Sequence, residues 1–96
     1  MYKFIITIDC VPGGREKILA RAPVAQAATR AEAGCLQYDF FACTDKPERL
    51  VFVETWQDRA AHDFHMEQGH TKDFIAFHEQ FHDRLVFETV QPATDQ

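Results

Sequence analysis

No serine and no asparagine occur among the 96 residues. The first absence removes Ser–His–Asp hydrolysis, and the second removes any mechanism that needs an asparagine side chain. Basic residues are in deficit. Ten Lys and Arg against fifteen Asp and Glu give a formal charge of −5, with no basic stripe to neutralise phosphates, so nucleic acid is not an expected partner. No apolar run reaches the length of a membrane span, and none is expected to insert in a membrane. The start, Met1-Tyr2-Lys3-Phe4-Ile5-Ile6, is interrupted by Asp9 too soon for a secretory signal. Cysteine is scarce: Cys10, Cys35 and Cys43 make an odd count without C-x-x-C spacing. They read as reduced thiols in strands of a cytoplasmic protein, not as a disulfide framework.

What is present is apolar and aromatic. A 46% hydrophobic content with nine Phe is too apolar for a disordered chain. The length suits one domain with a modest core, so extra burial by oligomerisation is expected.

Tyr2 to Cys10 reads as a strand. Tyr2, Phe4, Ile6, Ile8 and Cys10 fall on one face at period two, with Lys3, Ile5, Thr7 and Asp9 on the other. Val11-Pro12-Gly13-Gly14 ends it, and Arg15 to about Arg30 reads as an Ala-rich helix. Pro23 lies inside this helix and predicts either a kink near Leu19 to Pro23 or two shorter helices. Gly34 is expected to cap it in the left-handed conformation. A strand follows with Leu36, Tyr38, Phe40 and Ala42 on one face and Gln37, Asp39, Phe41 and Cys43 on the other. After a polar turn, Leu50 to Trp56 forms the next strand, antiparallel to it. Asp58 is the N-cap of a helix that Gly69 stops, and Thr71 is the expected cap of another. In that last helix Phe74, Phe77, His78 and Phe81 recur at i, i+3, i+4 and i+7. Leu85 to Val90 is the final strand.

The order β-α-β-β-α-β predicts an α+β, ferredoxin-like split domain. Its four-stranded antiparallel sheet would carry helices on one face. The other face, expected to hold Ile5, Thr7, Phe41, Val51, Val53, Leu85 and Phe87, is too apolar for water. A second copy, packed sheet to sheet, is the economical cover.

Three short stretches carry a family resemblance. Glu32-Ala33-Gly34-Cys35-Leu36-Gln37-Tyr38 is similar to a Glu-Pro-Gly-Cys-x-x-Tyr stretch, with Ala33 in place of proline. Glu54-Thr55-Trp56 resembles its Glu-x-Trp, and His65, His70 and Phe74 resemble its His-x4-His-x3-Phe. Together they resemble the antibiotic biosynthesis monooxygenase domain family, a branch of the dimeric α+β barrels that includes quinol monooxygenases. On this reading residues 1–91 are the domain and 92–96 a flexible tail. The resemblance implies a homodimer with facing sheets and a pocket between sheet and helices in each subunit. It implies oxygenation of a quinol or phenolic small molecule, with molecular oxygen as co-substrate and neither metal nor organic cofactor. Relatives that cleave haem, and some polyketide oxygenases, lean on an asparagine, which this chain lacks. A haem-binding or haem-degrading protein and a non-catalytic ligand-binding dimer are the alternatives.

The candidate site residues follow. His65 and His70 are the expected catalytic pair, as proton acceptor or hydrogen-bonding group. A helix start near His70 would favour its neutral form. Tyr38, Phe40, Phe52, Glu54, Trp56 and Phe74 are the expected substrate contacts. Each has a structural alternative. Trp56 can close the core, Phe40 can pack within it, and Glu54 among apolar neighbours can be a paired structural acid. His78-Glu79-Gln80-Phe81-His82 matches H-E-x-x-H, with both histidines on one helical face. The phenylalanines beside it claim the core, and no later histidine remains as a third ligand. No metal site is expected.

Overall fold

A computed structural model describes residues 1–91; the tail expected at 92–96 lies outside them. The chain runs β1 (Tyr2–Cys10), α1 (Gly14–Arg30), β2 (Cys35–Ala42), β3 (Arg49–Trp56), α2 (Arg59–Met66), α3 (Gly69–His78) and β4 (His82–Val90). The strands form one sheet in the order β2-β3-β1-β4, and the three recorded pairings are all antiparallel. This is the α+β, ferredoxin-like arrangement that the element order predicts, with three helices.

Period two puts Phe4, Ile8 and Cys10 of β1 on one face of the sheet with Leu50 and Phe52 of β3, all buried. Ile18 and Ala25 of α1 and Phe74 of α3 close the core from the helix side. The opposite face carries Ile5 beside Val53 and Thr7 beside Val51, with Phe41 across from Val51. Its ends are polar. Arg49 pairs with Asp9, and Lys3, Thr55 and Asp39 share the amide of Gln37.

The structure corrects several expectations. Leu85 and Phe87 are on the helix side, because β4 begins at His82 and pairs Leu85 with Ile8 and Phe87 with Ile6. Leu36 is exposed and out of step with Tyr38, because the β2–β3 register shifts between Cys35 and Gln37. Helix α1 is not split at Pro23. Gly34 is not a left-handed cap, since Gly13 is the glycine with positive φ. Gly34 is required by proximity: a side chain there would run into Cβ of Ala61 on α2. Asp58 does cap α2, accepting from the Ala61 amide at 2.9 Å, but α3 starts at Gly69, with Gln68 as its N-cap instead of Thr71. Because α3 ends at His78, His82 sits on β4 and the H-E-x-x-H segment is not helical throughout.

Candidate functional site

A cavity of about 210 Å³ lies between the sheet and helices α2 and α3. Its apolar wall comes from Phe4 and Ile6 of β1, Phe52 of β3, and Phe74 and Ile75 of α3. Met66, Leu85 and Phe87 also line it and are exposed, so they form its rim. The β4 part of the helix-side face is therefore the least covered. The polar groups are Tyr38, Glu54, His62, His65, Thr71 and His78, with the exposed Glu79 at the rim.

Of the eight residues expected at the site, five line this cavity: Tyr38, Phe52, Glu54, His65 and Phe74. Phe40 stands one layer back, its ring 4.5 Å from Phe52 and 5.8 Å from Phe74. Trp56 is wholly buried. Its indole N–H donates to Glu54 Oε1 at 3.0 Å, and its ring lies 4.6 Å from that of His65. It supports two cavity groups without lining the cavity itself. His70 also lies outside the lining, in the first turn of α3 and on the far side of a carboxylate.

That carboxylate is Glu32, in the loop after α1. Its Oε2 is 2.7 Å from His65 Nδ1 and 3.0 Å from His70 Nε2. With a carboxylate as acceptor, His65 Nδ1 is the protonated nitrogen and donates to it. Thr71 Oγ1 stands 3.1 Å from the same nitrogen. This leaves Nε2 as the ring nitrogen with the lone pair, in a side chain that lines the cavity. Burial holds the His65 pKa below its ordinary value, opposed by the hydrogen bond and charge of Glu32, so the ring is neutral at pH 7. A neutral imidazole oriented by a carboxylate is a proton acceptor of known design.

Four other titratable groups of the lining, Glu54, His78, His62 and Tyr38, are pushed toward neutrality as well. Burial lifts Glu54 to about 7, against the Trp56 hydrogen bond that favours its ionised form and with help from the charge of Glu32. Burial, aided by His82, pulls His78 down to about 4; its Nδ1 is 3.1 Å from His82 Nε2. Burial also lowers His62, and it raises Tyr38 well above the usual phenol range. Such a lining suits an uncharged molecule with an apolar or aromatic body. An engineered apolar cavity of about 150 Å³ takes benzene, so the space here suits a small ring system.

Sequence reasoning misses Glu32, His62, Thr71 and His78 as site groups. Glu32 is visible there only as the first residue of a fold-marking stretch. His78 is visible as the one polar member of an aromatic helix face.

A family model described as antibiotic biosynthesis monooxygenase matches residues 1–84. The candidate monooxygenase YcnE of Bacillus subtilis (strain 168) is 38% identical over 69 residues, which cover 72% of this chain and 73% of that protein. A crystal structure of an antibiotic biosynthesis monooxygenase superposes with a TM-score of 0.89 at 26% identity, covering 98% of this chain and all of the other. The structure of PA3566 from Pseudomonas aeruginosa superposes with a TM-score of 0.86 at 28% identity, covering 97% and 94%.

Proposed function

The chain belongs to the antibiotic biosynthesis monooxygenase family, and on that premise we propose that it is a cofactor-independent monooxygenase acting on a quinol or phenolic small molecule. The observation that carries this reading is the Glu32–His65 pair. It leaves an unprotonated Nε2 for a cavity walled by Phe4, Phe52 and Phe74. His65 takes the proton of a substrate hydroxyl there. The resulting phenolate is electron-rich enough to reduce dioxygen itself. For a hydroquinone, one oxygen atom enters the ring and the other leaves as water, the product being the hydroxyquinone. The substrate supplies all the electrons, so neither flavin nor metal is called for. His70, on the same carboxylate oxygen, is a positioning residue for Glu32. Tyr38 and Glu54, both neutral or half-neutral at pH 7, hydrogen-bond substrate oxygens. Trp56 and Phe40 act from behind the wall by holding Glu54 and Phe52.

The active unit in this reading is a homodimer joined through the outer sheet faces, where Ile5, Val51, Val53 and the exposed ring of Phe41 present apolar surface. Three free cysteines fit a reducing, cytoplasmic setting.

Oxygen uptake with a panel of reduced quinols tests the assignment. Wild type is expected to exceed autoxidation, with His65→Ala losing most of the gain and His70→Ala less of it. Equal rates in wild type and His65→Ala, or none above autoxidation, would overturn it. Saturable binding of a quinol without turnover would instead make the chain a ligand-binding dimer.

A further inference from the structure

The same three side chains that orient His65 have a second capacity. We propose that Glu32, His65 and His70 form a binding site for one divalent transition-metal ion, and that occupancy withdraws His65 from proton transfer. The site itself rests on the geometry below; the withdrawal rests on the oxygenase reading above.

The ligand atoms come from three separate segments: the loop after α1, helix α2 and the first turn of α3. Among the described residues this is the one such cluster, with all three ligand atoms within 4.8 Å of one another. Glu32 Oε2 stands 2.7 Å from His65 Nδ1 and 3.0 Å from His70 Nε2. Two ligands held at about 2.1 Å and meeting at roughly 90–110° stand about 3.0–3.4 Å apart; the two carboxylate–imidazole spacings are within a few tenths of an ångström of that range, and the two imidazole nitrogens, within 4.8 Å, close together as the ion enters. Two imidazoles and one carboxylate suit zinc, cobalt, nickel or iron better than magnesium or calcium, which prefer all-oxygen shells.

A second observation points the same way. The other carboxylate oxygen, Glu32 Oε1, is buried with no hydrogen-bond partner, in a side chain only 8% exposed. An unsatisfied buried carboxylate oxygen is costly. A cation beside the carboxylate relieves that cost, through one oxygen or both. His70 is 31% exposed, which gives the ion a short path from solvent, and Thr71 Oγ1 is placed to hold a water on it. Neither Glu32 nor His70 lines the cavity, so the ion sits behind His65 and not against the substrate. It is not a redox centre for the bound ring.

The consequence for His65 is a tautomer change. Without metal the ring carries its proton on Nδ1 and offers the Nε2 lone pair to the cavity. A metal on Nδ1 forces the proton of the neutral ring onto Nε2. The nitrogen facing the cavity becomes a donor and cannot accept a proton.

Calorimetric titration of EDTA-treated protein with zinc chloride, and visible absorption with cobalt(II) chloride, test the site directly. One ion per chain is expected. Glu32→Gln and His70→Ala should each weaken binding by about 100-fold or more, beyond the roughly 10- to 100-fold that loss of a supporting partner costs. His82→Ala, outside the cluster, should bind as wild type does. Circular dichroism of each variant establishes that it is folded, and the partly exposed His70 makes its variant the safer one. Two-bond proton–nitrogen spectra of the imidazoles should show the His65 proton moving from Nδ1 to Nε2 on zinc addition. No saturable binding, or binding unchanged in both Glu32→Gln and His70→Ala, overturns the site. Stoichiometric zinc should also stop quinol-dependent oxygen uptake, with EDTA restoring it. Uptake undisturbed by bound zinc overturns the withdrawal of His65. Uptake absent with and without zinc overturns the oxygenase reading, while calorimetry and the imidazole spectra still decide the site.

Discussion

Glu54→Gln should make the protein more stable at pH 8 and leave it unchanged at pH 4. Glu54 is buried in the cavity wall and its carboxyl is pushed from an ordinary 4.5 to about 7. In the unfolded chain it ionises near the lower value; in the folded chain it stays protonated to the higher one. The folded state therefore loses stability as pH rises from about 4.5 through about 7, and gains it back in the reverse direction. At about 1.4 kcal/mol per pH unit over that window, the loss is about 3 kcal/mol by pH 8. Glutamine is isosteric and neutral, and its carbonyl can still accept from the Trp56 indole, which now donates to Oε1 at 3.0 Å. It keeps the contact and removes the charge. Urea unfolding of wild type and Glu54→Gln at pH 4, 6 and 8 reads the difference. The two curves should coincide at pH 4 and diverge steadily to about 3 kcal/mol at pH 8. Parallel curves across the whole range would refute the buried, elevated carboxyl. His78 acts with the opposite sign. Its pKa is depressed from 6.5 to about 4, so its contribution is present above pH 6.5 and is lost as pH falls toward 4, in both proteins alike.

Gly34→Ala should cost roughly 1–3 kcal/mol, because the new methyl group meets Ala61 on α2. Thermal unfolding measures it, and the double variant Gly34→Ala with Ala61→Gly should recover part of the loss. Phe41→Asp places a charge on the outer sheet face and should shift a dimer toward monomer in sedimentation velocity; an unchanged sedimentation coefficient places the dimer contact elsewhere. Cys10, buried and pushed up to about 11, should react with a thiol reagent at pH 8 far more slowly than an exposed cysteine, at a rate that unfolding in urea restores.

The parts of the fold legible in the sequence are those governed by short periods. Alternation in Tyr2 to Cys10 and Leu50 to Trp56 separates the two faces of the sheet, and the structure keeps both separations. The strand misreadings arise where one residue of register matters. Leu85 and Phe87 alternate correctly, but only pairing with Ile8 and Ile6 decides which face they take. The shift at Leu36 reverses one side chain in a strand whose alternation otherwise reads cleanly. The glycines mislead for a related reason. Gly34 and Gly13 look alike as helix boundaries, yet one has positive φ and the other has a neighbouring helix against it.

The site divides along the same line. Phe52 and Glu54 share a face by alternation, and the pairing of Tyr38 with Glu54 across β2 and β3 brings Tyr38 to the same face. His65 and His70 are near in sequence, and they are legible as a pair. What no local pattern contains is the carboxylate between them. Glu32 is 33 residues before His65, and the loop after α1 must return past α2 to bring Oε2 within 2.7 Å. That single contact turns two equivalent candidates into unequal ones. Both histidines touch the carboxylate, but only His65 also lines the cavity, so only His65 can pass the influence of Glu32 to a bound molecule. The distinction predicts different failures. Loss of His70 should loosen Glu32 and reduce turnover in part, with the pH dependence of quinol oxidation shifted. Loss of His65 should remove the proton acceptor, so that the little turnover left rises only toward alkaline pH, where the substrate hydroxyl ionises in solution. Identical pH profiles for the two variants would mean that the two histidines act as one group, and that the cavity does not distinguish them.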